Sequence, residues 1–287
     1  MGAVFPSSFK LKLPESLRTI GEAAFLCAEN IEQIFIPGLV QNIGVDAFGR
    51  SSDLNYIDVD ANNQYYISID GSLYSKDTST VISVPANISG EFSIPYGVKV
   101  IDNFAFDGCR ISSVNIPTSV TRIKSAAFSS CNSLSEVHIP ASVSNIEGGA
   151  FRASENLYNL TIDSLNTGYK AIDHCIYSMD MDTLVCCLVP IGDTLRMCDG
   201  MEVVAAHSCS GLNKLKVVVL PDGVREIKHY AFLGSSLRAI HLPETLKSID
   251  SATFYMCAKL KELRIPNSVT KIGEHSFSTS GIETVFM

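Results

Sequence analysis

The chain repeats itself every 22 or 23 residues, and that excludes most folds before any residue is considered singly. Residues 116–138 read IPTSVTRIKSAAFSSCNSLSEVH, and the next stretch, IPASVSNIEGGAFRASENLYNLT, keeps Ile139 and Pro140 in register. The idealised unit is I-P-x-x-V-x-x-I-x-x-x-A-F-x-x-C-x-x-L-x-x-V-x. Its proline recurs at Pro14, Pro37, Pro95, Pro117, Pro140, Pro221, Pro243 and Pro266. Its phenylalanine recurs at Phe25, Phe48, Phe106, Phe128, Phe151, Phe232, Phe254 and Phe277; Cys198 and Cys209 hold the two positions in a degenerate copy. This gives one domain over 1–287, of about nine units.

One unit cannot fold alone. Its six or seven apolar side chains contribute ~1.5–3 kcal/mol each when buried. Ordering its backbone costs about 1–2 kcal/mol per residue. Stacked neighbours give each unit a second interface, and the array becomes stable. Within a unit, Val137 and Ile139 alternate with polar residues, which predicts a short strand with one buried face. Pro140 ends that strand, having no N–H for a ladder. Val143, Ile146, Ala150 and Phe151 then suit a turn and a short helical or 3-10 segment. The expected architecture is a right-handed solenoid, strand-rich α/β, with a concave parallel sheet and short helical or 3-10 convex segments, the fold class of leucine-rich repeats that the unit resembles.

Two insertions interrupt the array, at about 60–92 and 163–196. A shift of 103 residues aligns Tyr66 with Tyr169, Asp70 with Asp173, Tyr74 with Tyr177 and Thr80 with Thr183. Asp70-Gly71 between strand-like runs signals a hairpin, so each insertion is expected to be a small β-meander. The second has His174 where the first has Gly71. Tyr65, Tyr66 and Tyr74 would either form a contact patch or pack the meander on the solenoid.

Thirty acidic residues against 22 basic ones oppose phosphate-backbone binding, so no nucleic-acid partner is expected. No apolar run approaches the roughly 18 residues of a membrane helix, so no membrane insertion is expected. Nine cysteines, with Cys186 and Cys187 adjacent, form no disulfide framework. Cys27, Cys109, Cys131 and Cys257 share one repeat position and suit a core. No C-x-x-C pair invites zinc, and Asp58, Asp60 and Asn62 open a calcium-like loop that lacks its glycine and its glutamate, so neither metal nor cofactor is expected. No Gly-x-Ser-x-Gly occurs and the six histidines have no recurrent partner, so the chain reads as a binding protein and not an enzyme.

The strand pattern also assigns an outward face. Residues flanking the buried valine vary along the array while the core positions repeat. The candidate binding residues are Gln33, Phe35, Tyr56, Asp58, Asn115, Glu136, His138, Val219, His241 and Arg264. Phe35, Tyr56 and Val219 are apolar groups facing solvent, where recognition sites tend to lie.

The unit carried by Ile116-Pro117, Ser119-Val120, Ile123, Ala127-Phe128, Cys131, Leu134 and Val137 resembles the BspA-like leucine-rich repeats, the treponemal type. The insertion IDGSLYSKDTSTVISVP resembles the meander that interrupts such arrays. The resemblance implies a secreted or cell-surface protein that binds host or neighbouring-cell proteins, or extracellular matrix, in adhesion and virulence. It carries over no catalytic residues. The opening MGAVFPSSFKLKLP has no basic flank and apolar core, so no signal peptide is expected there, and the chain is expected to be a fragment of a longer protein. An intracellular protein-interaction scaffold and a carbohydrate-binding surface module are the alternatives.

Overall fold

The computed structural model describes residues 9–188 and 192–286, so part of the second insertion (189–191) and Met287, expected in the last strand, lie outside the described residues. Each coil has three sides. The wide side carries strands of three to six residues, twelve of them among the described residues, running parallel in four groups. The first group is Phe9–Lys12, Ile31–Ile36 and Tyr56–Val59. The second is Ser89–Ser93, Arg110–Asn115, Glu136–Ile139 and Asn159–Ile162. Thr194–Arg196, Val217–Val219 and Ala239–His241 form the third, and Glu262–Arg264 with Thr284–Phe286 the fourth. The repeat proline follows each wide strand of a full unit, and its carbonyl accepts the amide three residues on, as in Val120 to Pro117 (3.0 Å). This turn delivers the buried valine and leads to the second side, a stack of two-residue strands such as Val100–Ile101, Arg122–Ile123 and Asn145–Ile146.

The third side departs from expectation. Among the described residues it contains no helix, neither α nor 3-10. The Ala-Phe segments are runs of turn, and the reason is backbone chirality. The residue two before each repeat phenylalanine and the residue two after it are left-handed: Phe104 and Gly108 around Phe106, Ala126 and Ser130 around Phe128, Ala252 and Met256 around Phe254. A left-handed residue stops a right-handed helix and turns alternate amides along the solenoid axis. Those amides bond to the next coil instead: Phe106 to Ala127 (2.8 Å), Gly108 to Ser129 (2.9 Å), Phe128 to Ala150 (2.8 Å) and Phe254 to Ser276 (2.8 Å). A spacing of three, four and one looks helical in sequence, but ladder bonds between coils have replaced bonds within a coil.

Phenylalanines stack behind this ladder. Ring centroids are 4.7 Å apart for Phe106 and Phe128, 5.2 Å for Phe128 and Phe151, and 5.5 Å for Phe232 and Phe254. The column is broken wherever an insertion intervenes, and the core divides there into three clusters.

Both insertions are three-stranded antiparallel meanders, spanning 66–83 and 169–187, and each continues the second side as extra strands. Asp70 and Gly71 are both left-handed, as are Asp173 and His174, so the two hairpins share a primed turn despite the histidine. A buried asparagine anchors each. Asn63 Nδ2 donates to the carbonyls of Pro37 and Val40 (2.9 Å each), and its Oδ1 accepts the amides of Tyr65 and Tyr66 (2.8 Å each). Asn166 repeats this with Pro140, Val143, Gly168 and Tyr169. The Tyr66 hydroxyl accepts the amide of Ile43 (3.1 Å) and the Tyr169 hydroxyl that of Ile146 (2.8 Å). These hydroxyls stand in for the strand that the next coil would have supplied.

Phe128→Ala, in the middle of the ring column, is expected to cost about 3–5 kcal/mol. Phe277→Ala, half-buried and flanked by only one ring of the column, should cost less. Urea unfolding of the two variants checks the order.

Candidate functional site

The wide side presents the outward residues of the array in rows. Lys10, Gln33 and Tyr56 are successive partners across the first group, as are Lys12, Phe35 and Asp58. Tyr56 is exposed, and Gln33, Phe35 and Asp58 are half-buried. In the second group Asn115 pairs with Ser93, Glu136 lies between Ser113 and Asn159, and His138 pairs with Thr161, its Nδ1 3.0 Å from Thr161 Oγ1. In the third, Val219 lies between Arg196 and His241. In the fourth, Arg264 stands opposite Phe286 and forms an ion pair with Glu244 (2.8 Å). The ten candidates thus fall into four sheets, and the two insertions part the first three. Gln33, Phe35, Tyr56 and Asp58 form one contiguous patch, with Lys10 and Lys12 at its rim. Val219 and His241 form a second.

The meander tyrosines divide. Tyr74 is 1% exposed, and burial pushes its hydroxyl up to about 12. Tyr66 is half-buried and bonded to the solenoid, so only Tyr65, 50% exposed, faces solvent. Adjacent Tyr65 and Tyr66 necessarily point to opposite sides and Tyr74 lies across the Asp70-Gly71 turn, but the pattern does not say which side of the meander the solenoid covers. Sequence reading missed the two large apolar residues beside the second meander, Tyr158 at 62% exposed and Leu165 at 78%. Both occupy loop positions off the period-two pattern.

Acid–base chemistry is sparse. Asp58, Asp60 and Asn62 make local turns: Asp60 Oδ1 accepts the Asn62 amide (2.8 Å) and Asp58 Oδ1 the Val59 amide (2.9 Å). Among the described residues no three His, Cys, Asp or Glu side chains converge as metal ligands would. His207 stacks on Tyr230 (4.9 Å), and burial, then Arg152 and His229, push its ring down to about 4. Repeat cysteines are core thiols: Cys131 Sγ donates to the Phe106 carbonyl (3.0 Å) and Cys257 Sγ to Phe232 (3.1 Å). Burial pushes both thiols up, and they are poor nucleophiles as a result. Cys27, at the same repeat position, is exposed. Cys175 and Cys187 face each other across the second meander, their sulfurs 2.9 Å apart.

One ionic cluster bridges the first insertion. Arg50 Nε donates to the buried Asp107 (2.8 Å), and Asp46 lies beside them with a buried, unpartnered Oδ1. Burial and the charge of Asp107 raise the Asp46 carboxyl to about 7, against the pull of Arg50 and Arg152. A carboxyl raised from 3.8 to about 7 binds its proton more tightly when folded. Its stabilising effect is therefore complete below pH 4 and is lost as pH rises through 7.

The BspA type Leucine rich repeat region model matches residues 6–90, 86–183 and 194–287, in six copies. Among solved structures, the chain is similar to a leucine-rich repeat protein from Eubacterium ventriosum, at 24% identity and TM-score 0.55, covering 95% of this chain and 65% of that one. It is similar to a leucine rich cell surface protein from Faecalibacterium prausnitzii, at 22% identity and TM-score 0.57, covering 98% and 88%. It is also similar to the pneumococcal vaccine antigen PcpA, at 18% identity and TM-score 0.63, covering 97% and 72%. The likenesses to these structures are likenesses of fold. No curated protein matches the sequence.

Asp46→Asn keeps a left-handed-tolerant residue and removes the titration. The variant is expected to melt several degrees above the wild type at pH 8, with the gap closing below pH 4. Thermal unfolding across that range checks it.

Proposed function

The chain belongs to the BspA-type leucine-rich repeat family, and on that premise we propose that it is a non-enzymatic cell-surface module that binds host or neighbouring-cell proteins. Repeat modules of this family are protein-interaction scaffolds, and the relatives of like fold include a cell surface protein and a vaccine antigen. The observation that carries the reading is the contrast between the two sides of each wide strand. Inward residues such as Ile34, Ile57, Val137 and Val218 repeat and are at most 2% exposed. Outward partners differ from rung to rung: Gln33 beside Tyr56, Phe35 beside Asp58, Val219 beside His241. A surface free to vary on a rigid scaffold is suited to recognition. The Phe35–Tyr56 patch is the proposed centre, since aromatic anchors flanked by charge dominate protein interfaces.

A second reading, an interaction scaffold in a reducing compartment, is favoured by the nine cysteines, which stand as free thiols. No helix among the described residues is long and apolar enough to cross a membrane.

Purified chain should bind extracellular-matrix proteins or host cells saturably. The Phe35→Ala/Tyr56→Ala variant should lose about tenfold or more in affinity while still unfolding in one cooperative transition above the assay temperature. His138→Ala/His241→Ala should lose less. Undiminished binding by the first variant would remove the patch from the account, and no binding by wild type would favour the scaffold reading.

A further inference from the structure

The two meanders are internal copies, and each serves as a control for the other. Each follows the last wide strand of its group, Tyr56–Val59 before the first and Asn159–Ile162 before the second. Inside the array, alternate residues of a wide strand turn their N–H and C=O toward the next coil. At these two strands the insertion has displaced that coil, and the edge needs another cover.

In the first copy three of the four outward backbone groups of Ile57 and Val59 are covered. The Ile57 amide donates to the Gly71 carbonyl (2.8 Å), and Ser68 Oγ donates to the Ile57 carbonyl (2.5 Å). The Val59 amide donates to Asp58 Oδ1 (2.9 Å). The Tyr56 ring lies so close over Gly71 that a Cβ there would stand 2.5 Å from it.

In the second copy, 103 residues on, each cover has been removed. Ala171 replaces Ser68 and has no hydroxyl. Thr161 replaces Asp58, and its Oγ1 is engaged with His138. His174 replaces Gly71, and its carbonyl accepts the Leu188 amide (2.7 Å). Asn159 replaces Tyr56. Among the described residues, nothing meets the outer N–H and C=O of Leu160 or Ile162. An open groove runs along the strand instead, in two lobes of about 510 and 240 Å³ that share Leu160, Ala171 and Ile172.

We propose that this groove takes an extended segment of a partner protein as an added β-strand. The assignment rests on the protein-binding reading and deepens it. Its occupant follows from the first copy, where the same backbone groups are met by a carbonyl and a hydroxyl. The occupant must offer alternating donors and acceptors at about 3.3 Å per residue, which is what an extended polypeptide carries. Half-buried Leu160 and Ile162, with exposed Tyr158 alongside, select apolar side chains at every second position.

The test pans a phage-displayed random dodecapeptide library on the full chain, then measures the enriched peptides in solution. Ala171→Ser/Thr161→Asp restores two of the missing covers, those on the Leu160 carbonyl and the Ile162 amide, and should weaken binding by about tenfold or more. Methylating alternate peptide nitrogens should do the same. The reverse graft, Tyr56→Asn/Asp58→Thr/Ser68→Ala/Gly71→His, carries all four exchanges into the first copy and should add a second equivalent of peptide, which keeps the test open if the covered variant folds poorly. Absence of enriched peptides, or equal affinity for wild type and covered variant, overturns the proposal. So does a wild-type dimer that the covered variant abolishes, since the occupant would then be a second copy. The covered variant keeps the Phe35–Tyr56 patch, so undiminished binding of whole matrix proteins by it sinks the groove alone, whereas failure of wild type to bind any protein sinks the parent reading too.

Discussion

Each coil completes its neighbour. The inward side chains of one rung fill only part of a core, and three sets of ladder bonds tie that rung to the next. The amides that leave the Ala-Phe turns are the most telling of these. Because their flanking residues are left-handed, they have no partner within their own coil and depend on the coil that follows. Interruption is therefore costly, and the structure shows how it is managed. On the second and third sides a specific group takes the displaced coil's place: Tyr66 and Tyr169 on the second, with Asn63 and Asn166 at the anchor, and Val84 and Cys187 on the third, where their amides bond to Ala105 and Ser208 (2.7 Å each).

Much of this was legible in the residues. The 23-residue period gave the solenoid, the alternation around Val137 gave the wide strands, and the 103-residue shift paired the meanders. The turns of the third side were not legible, because periodicity reports which residues are buried and not which backbone bonds bury them. A segment such as Ala126 to Ser130 is apolar at helical spacing whether its amides close within the coil or between coils. The division of the outward residues among four sheets was hidden, since an insertion of fixed length can bulge from an array or split it. Tyr74 and Tyr65 show the same limit: one is core and the other surface, nine residues apart on either side of one hairpin.

The functional consequence is a division of labour. The repeated inward positions make a scaffold that tolerates variation outside it. The wide face supplies a patch around Phe35 and Tyr56, and the second meander supplies an uncovered strand edge. Among the differences between the duplicated elements, the exchange of Tyr56, Asp58, Ser68 and Gly71 for Asn159, Thr161, Ala171 and His174 separates structural closure from availability for binding. The closed copy stabilises the array; the open copy is a place where another chain can continue it.

The central claim is that stability and availability both follow from which coil-facing backbone groups have partners. Amide hydrogen exchange of the free chain, resolved by residue, tests it most directly. The account predicts strong protection for Phe106, Phe128 and Phe254, protection for Ile57 and Val59, and exchange at least about tenfold faster for Leu160 and Ile162. Equal protection of Ile57 and Leu160 would contradict it, as would fast exchange at the Ala-Phe turns.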